Sequence, residues 1–159
     1  MGGDTGIRDA VTGLYVREYF DDVIARELER SRRHGIRLSV LSVVLANLAE
    51  LSEAGEETAL AAVVEAARAL QANVRETDHL FRWEEDEFLL LLFNADAEAC
   101  ALKVSQLDQL FRPWRDGGGP VAGAVKVRVG GATHEEHLVF ASVLQAARET
   151  ARGGASGPA

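Results

Sequence analysis

The chain has 159 residues, 47% of them hydrophobic, with 17 Lys+Arg against 25 Asp+Glu and a formal net charge of −8. That length fits one domain with a real core, and the acidic balance excludes general binding to nucleic acid or to an anionic membrane, although not one local basic pocket for a small anion. No apolar run approaches the roughly 18 residues of a membrane span and the start lacks a secretory leader pattern, so a cytoplasmic segment without membrane insertion is expected.

In chain order, residues 1–8 are glycine-rich and read as a flexible N-terminus, before a domain over 9–152. Thr12-Gly13 reads as a turn. Val16, Phe20, Val23, Ile24 and Leu28 recur at helical spacing, which predicts an amphipathic helix over 17–33 with Gly35 as its stop. Residues 37–46 are short and β-branched, a buried strand. Residues 58–76, rich in Ala, Leu and Glu, predict a second long helix.

Residues 79–83 and 88–93 are apolar runs separated by Glu84, Glu85, Asp86 and Glu87, which reads as a β-hairpin whose second strand is buried on both faces. A third helix over 96–111 is capped by Asp96, with Pro113 beyond its end. The glycine-rich stretch 115–120 is a loop. Alternation of Val125, Val127 and Val129 with Lys126 and Arg128 makes 121–133 a strand, and 135–152 a last helix. Residues 153–159, rich in Gly, Ser, Pro and Ala, read as a flexible tail.

The order α-β-α-β-β-α-β-α predicts an α/β or α+β fold, a sheet covered by helices. Cys100, Trp83 and Trp114 read as packing residues. The run His134, Glu135, Glu136, His137 reads as a charged first helical turn rather than a metal clip.

Four adjacent carboxylates repel one another, so the hairpin tip is expected to face water or a cation. That leaves two plain readings, a solvated turn or an acidic patch for a basic partner.

Three segments resemble the GGDEF domain family, the diguanylate cyclases and their inactive relatives. The family's opening block D-x-L-T-G-L-x-N-R-x-x-F is matched by Asp9, Thr12, Gly13, Leu14, Arg17 and Phe20, with Val11 and Val16 as departures. Its G-G-[DE]-E-F hairpin corresponds to Glu84, Glu85, Asp86, Glu87 and Phe88, with Arg82 two residues before. The strand 125–132 is similar to the family's v-x-v-S-x-G-x-A, Gly130 standing where Ser is usual. The resemblance covers about 9–152 and implies a nucleotidyl-cyclase-like fold, a central mixed β-sheet flanked by helices with the motif on a hairpin.

The resemblance also says what a cyclase needs. Two domains each present a GTP, and divalent cations held by carboxylates offset the triphosphate charge. In the family those carboxylates come from a D-x-D at the end of the first long strand and from the third letter of the hairpin motif. Here the D-x-D positions fall on Val44 and Ala46, and Asp86 alone is left. The family's guanine-holding loop is shortened to 52–57 and lacks Asn. Glu84 and Glu85 add bulk and charge where glycines let the backbone approach a nucleotide. The expectation is a catalytically inactive domain with no catalytic residues, no metal site, no resident cofactor and no Mg²⁺.

One feature of the family is kept. Arg75-Glu76-Thr77-Asp78 matches the R-x-x-D of the family's inhibitory site, where cyclic di-GMP binds, and Asp78 stands six positions before Glu84 as in that pattern. On this reading Arg75 presents a fork of donors to guanine O6 and N7, Asp78 accepts from the opposite edge, and Arg30 meets a phosphate. Arg32, Arg33, His34 and Arg37 complete the chain's basic cluster. The plain alternatives are an i,i+3 ion pair and a solvated face at a helix C-terminus.

The function expected is a cyclic di-GMP receptor or regulatory module. The alternative is a ligand-free pseudoenzyme that dimerises, or docks a partner or another signalling domain of a longer chain.

Overall fold

Strand β2, Leu38–Leu45, is buried along its whole length and runs between β4, Glu87–Phe93, and β5, Val127–Thr133, antiparallel to both. The computed structural model describes residues 6–153. Strand β3, His79–Glu84, forms the hairpin with β4, and β1, Tyr15–Val16, adds a short parallel edge, for a sheet order of β1-β3-β4-β2-β5. The expected mixed sheet flanked by helices is what the chain forms.

Helix α1, Phe20–His34, and helix α5, Phe140–Ala151, cover one face of the sheet. Their Phe20, Val23, Phe140, Val143 and Ala147 pack on Val40, Phe81, Leu89 and Leu91. The short α2, Leu48–Ala54, with α3, Glu56–Gln71, and α4, Ala97–Arg115, cover the other. There Ala62, Val63, Ala66, Leu70, Leu107 and Phe111 meet Leu41, Val43, Leu90 and Leu92. Successive side chains of a strand point to opposite faces, so the unbroken apolar runs of β2 and β4 are what a sheet covered on both sides requires.

Two adjacent glycines let helices close on β5 from both sides. A Cβ on Gly130 would lie 2.5 Å from the backbone nitrogen of Ala151 and 2.7 Å from the carbonyl of Ala147. A Cβ on Gly131 would lie 2.9 Å from Cys100 Sγ and from Val104 Cγ2 of α4.

Several boundaries differ from expectation. The first helix begins at Phe20 after a 3-10 turn over Arg17–Tyr19, Leu48–Ala54 forms the additional helix α2, and the 52–57 stretch expected as a loop is divided between the end of α2 and the start of α3. Helix α3 ends at Gln71, so Arg75 and Asp78 lie beyond it in the turn that leads to β3. Asp96 does cap α4, accepting from the Ala99 amide at 2.9 Å, but Pro113 lies inside the last turn of that helix. The strand read from residue 121 begins at Val127, and the His134–His137 run precedes α5 rather than opening it. Of the ends read as flexible, 1–5 and 154–159 lie outside the described residues. Ile7 and Arg8 are tied down, the Ile7 carbonyl accepting from Val16 N at 2.9 Å and Arg8 bridging to Tyr15.

Candidate functional site

The hairpin tip comprises only Glu85 and Asp86, because Glu84 and Glu87 pair directly across the strands. Like charges placed opposite one another destabilise a sheet. Here arginines from other elements neutralise them. Glu87 is fully buried, and its carboxylate accepts from Ser42 Oγ at 2.7 Å, Arg148 Nε at 2.9 Å, Arg148 Nη2 at 2.9 Å and Arg152 Nη2 at 3.2 Å. Asp86 takes the fork of Arg152, both contacts at 3.0 Å. Glu84 meets Arg17 at 2.6 Å and Arg148 at 3.5 Å.

The tetrad is therefore not four free acids facing water, and the exposed Arg152 is a principal counter-ion. Arg148 lies in the last turn of α5 and Arg152, four residues on, caps its C-terminus, so the two face the tip together. Hydrogen bonds from Arg152 hold the Asp86 carboxyl below its ordinary value. Burial pushes Glu87 upward, but the bonds from Arg148 and Ser42 outweigh it and the carboxyl is depressed. Glu87 in turn raises Arg148.

The opening block and the hairpin touch through Asp9. Its carboxylate accepts from Thr12 N at 2.9 Å and Thr12 Oγ1 at 2.8 Å, closing the turn before β1, and from Arg82 Nη1 at 3.3 Å. Arg82 also donates to the Glu85 carbonyl at 2.9 Å, which braces the tip. Between this corner, α3 and α5 lies a cleft of about 1180 Å³ with Leu48, Leu60 and Val63 on one wall and the hairpin acids and their arginines on the other. Strand β2 ends at Leu45, so Val44 is its penultimate residue and Ala46 the first beyond it. Among the described residues no group of three or more His, Cys, Asp or Glu side chains is placed to hold a metal ion.

At the opposite end of β4 the structure gathers the three residues of the R-x-x-D reading around Phe93. Arg75 Nη2 donates to the Phe93 carbonyl at 2.9 Å. The Arg30 guanidinium lies over the Phe93 ring, 4.2 Å from its centroid, and is held from below by the buried Glu27 at 3.2 Å. Arg30 and Arg75 keep 49% and 63% of their side-chain surface exposed, so both present donors to solvent.

Asp78 differs. Its side chain is 2% exposed, its Oδ2 accepts from Arg75 N at 3.0 Å and its Oδ1 from Phe93 N at 3.3 Å. The expected role of an outward carboxylate gripping a base edge is corrected accordingly. Asp78 is a brace that closes the turn on the end of β4 and aims Arg75, whose Nη2 lies 3.5 Å from it.

Two contributors to this end escaped the sequence reading. Lys103 of α4 donates to the Asn73 carbonyl, with burial lowering its ammonium, Asp78 opposing and Arg75 adding to that shift. His79 Nε2 lies 3.1 Å from Glu27 Oε2, which helps fix the carboxylate that positions Arg30. The rest of the basic cluster is spent locally, Arg32 on Glu29 at 3.0 Å, Arg33 on Glu29 at 3.6 Å and Arg37 on Glu135 at 2.7 Å. Cys100 is buried and its thiol is pushed up by that burial, and Trp114 stacks edge-on against Phe111, so both are packing residues as read.

Comparison with known proteins agrees with this anatomy. Diguanylate cyclase DosC from Escherichia coli is 31% identical over 88 residues, 55% of this chain and 19% of that protein. The chain spans about a quarter or less of the length of the curated relatives it matches. Diguanylate cyclase SiaD from Pseudomonas aeruginosa, solved in complex with its activator SiaC, superposes with a TM-score of 0.79 at 26% identity, over 96% of this chain and 60% of that one. The GGDEF domain of DgcB from Caulobacter crescentus, solved in complex with c-di-GMP, gives 0.78 at 18% identity, over 93% and 91%. Residues 7–152 match the family described as "Diguanylate cyclase, GGDEF domain", which takes in the opening turn, the hairpin and both arginine sites: the chain belongs to the GGDEF domain family.

Proposed function

We propose that this chain is a catalytically inactive GGDEF domain that receives cyclic di-GMP at the Phe93 end of β4. The observation that carries the proposal is the convergence of Arg75 and Arg30 on Phe93, one through its carbonyl at 2.9 Å and one over its ring at 4.2 Å. Both guanidiniums are anchored by acids on their own side, Asp78 and Glu27, and both keep exposed donors. Arg75 suits the O6/N7 edge of guanine, and Arg30 suits a phosphate or a stacked base. Fixing the arginines before the ligand arrives lowers the entropy lost on binding. The GGDEF domain of DgcB has been solved with c-di-GMP. At 18% identity that likeness carries the fold, and the binding reading rests on this chain's own residues.

The inactive reading is supported by what surrounds Asp86. A Mg²⁺ brought to it would find Val44 and Ala46 in place of two carboxylates and the guanidinium of Arg152 already on both Asp86 oxygens. The residues present do not fit the metal. The domain would work in the cytoplasm as the regulatory end of a longer signalling chain or as a homodimer.

Asp78 favours a second reading. A carboxylate that is 2% exposed and saturated by backbone amides serves the turn whether or not a ligand exists. On that reading the domain is a ligand-free docking or dimerisation module. Calorimetric titration of cyclic di-GMP into wild type, Arg75→Ala and Arg30→Ala separates the two: heat lost in both variants supports the receptor, and no heat with wild type at tens of micromolar supports the module. Incubation with GTP and Mg²⁺ tests inactivity, and appreciable cyclic di-GMP formation would overturn it.

A further inference from the structure

The face opposite α3 and α4 carries a second concavity that neither reading uses. Between α1 and α5 runs a slot of about 530 Å³ lined by Phe20, Ile24, Leu28, Trp83, Phe140 and Leu144. Two features of it constrain the occupant independently.

The floor is apolar and aromatic. Phe20 stands edge-on to Trp83 at 5.1 Å and lies 6.2 Å from Phe140, while Ile24, Leu28 and Leu144 are only partly buried. The rim is acidic. Glu18 and Asp21 line the slot, are exposed, and have no ion-pair partner among the described residues. The arginine at the rim, Arg17, is already engaged, bound to Glu84 at 2.6 Å and stacked on Trp83 at 4.5 Å. Trp83 closes the back of the slot. Trp83 is 9% exposed, and its Nε1 is the one buried side-chain polar atom with no hydrogen-bond partner among the described residues. Buried indole N–H groups are ordinarily paired.

Trp83 stands at a register shift of the β3–β4 ladder, between Arg82 and Glu84. Such bulges re-aim a side chain. Here the side chain it governs forms the wall shared by the slot and the hairpin cleft.

We propose that this slot docks a short basic–apolar peptide segment of a partner protein. One or two large aliphatic or aromatic side chains fill the floor, and an Arg or Lys beside them meets Glu18 and Asp21. A peptide is the ligand class that carries both chemistries within one turn of chain. The slot uses no residue of the R-x-x-D end, so this docking is separable from cyclic di-GMP binding.

The test is a selection. A randomised 12-residue peptide library displayed on phage is panned against wild type and counter-selected on Asp21→Lys, a change at an exposed position whose folding is checked by circular dichroism. The winners are then titrated into ¹⁵N-labelled protein, the two indole N–H signals being assigned with Trp114→Phe. The expected result is enrichment of a Leu, Phe or Trp within four residues of an Arg or Lys, saturable displacement of the Trp83 indole signal, and binding about tenfold weaker in Asp21→Lys and in Glu18→Lys. Leu144→Asp abolishes binding. Leu102→Asp, on the exposed face of α4, leaves it unchanged. The proposal is overturned if no peptide discriminates wild type from Asp21→Lys, or if selected peptides bind without moving the Trp83 indole.

Discussion

The guanidinium of Arg152 grips both oxygens of Asp86, Nη1 on Oδ2 and Nη2 on Oδ1, each at 3.0 Å. A bidentate arginine on a carboxylate is among the stronger charge-assisted contacts a protein makes, and here it engages both Asp86 oxygens. Through Glu87 the same arginine joins Arg148, so the end of α5 and the hairpin tip form one network. Glu84, Asp86 and Glu87 are thus all paired with arginines of the same chain.

That network makes a stability prediction. Glu87 is wholly buried and Arg148 mostly so, and removing one partner of a buried pair leaves an uncompensated charge. Arg148→Met should cost about 3 kcal/mol in urea unfolding. Arg148→Met combined with Glu87→Gln should cost clearly less than the sum of the two single changes. Additive losses would mean that the two side chains do not act as a pair.

The same carboxylates set a pH dependence. Asp86 and Glu87 have folded values below their ordinary 3.8 and 4.5. Such groups bind protons more readily when unfolded, so their contribution is present above those ordinary values and is lost as pH falls through the depressed folded ones. Thermal midpoints should therefore drop steeply below about pH 4.5. The drop should be shallower in Asp86→Asn/Glu87→Gln, with wild type and variant converging at low pH. Parallel curves would remove these two acids from the account.

Gly130 offers a steric test. Its added Cβ would press on the backbone of α5, which has no side chain to swing aside, so Gly130→Ala should cost about 3 kcal/mol, or roughly 6–12 °C of thermal midpoint. Gly131→Ala meets the side chains of Cys100 and Val104 instead and should cost less. Scanning calorimetry of the two variants checks the order, and equal losses would contradict it.

The braced turn predicts a division of labour. Asp78→Asn keeps the size of the side chain but replaces one carboxylate oxygen by an amide donor that faces a backbone N–H, so it should destabilise by about 1–3 kcal/mol. Arg75→Ala removes an exposed side chain and should cost under 1 kcal/mol. The ligand should feel the reverse ranking per kcal/mol of stability lost, with Arg75 the direct contact. A fold indifferent to Asp78→Asn would restore a purely ligand-facing role for that carboxylate.

Some of this was legible in the sequence and some was not, for physical reasons. Strands β2 and β4 announce themselves because both faces are buried and the runs are unbroken. Asp96 shows its cap because the signal is local. Helix α2 was missed because Asn47 makes no side-chain cap bond and its seven residues are too few to display a period. Helix α3 was read too long because residues 72–76 carry no breaker. The identities of Arg75, Asp78 and Arg30 were readable from a family pattern, but the burial of Asp78 depends on the end of β4, 15 residues away in sequence. The arginine clamp was invisible for the same reason, since Arg148 and Glu87 are 61 residues apart. The four-residue spacing of Arg148 and Arg152 at the end of α5 was its only trace.

The most direct test of the central claim is a calorimetric titration of cyclic di-GMP into wild-type protein and Arg75→Ala side by side. The account predicts saturable binding in the micromolar range to wild type and none to Arg75→Ala at the same concentrations, with both proteins equally folded. No heat with wild type, or the same isotherm with both proteins, would contradict it.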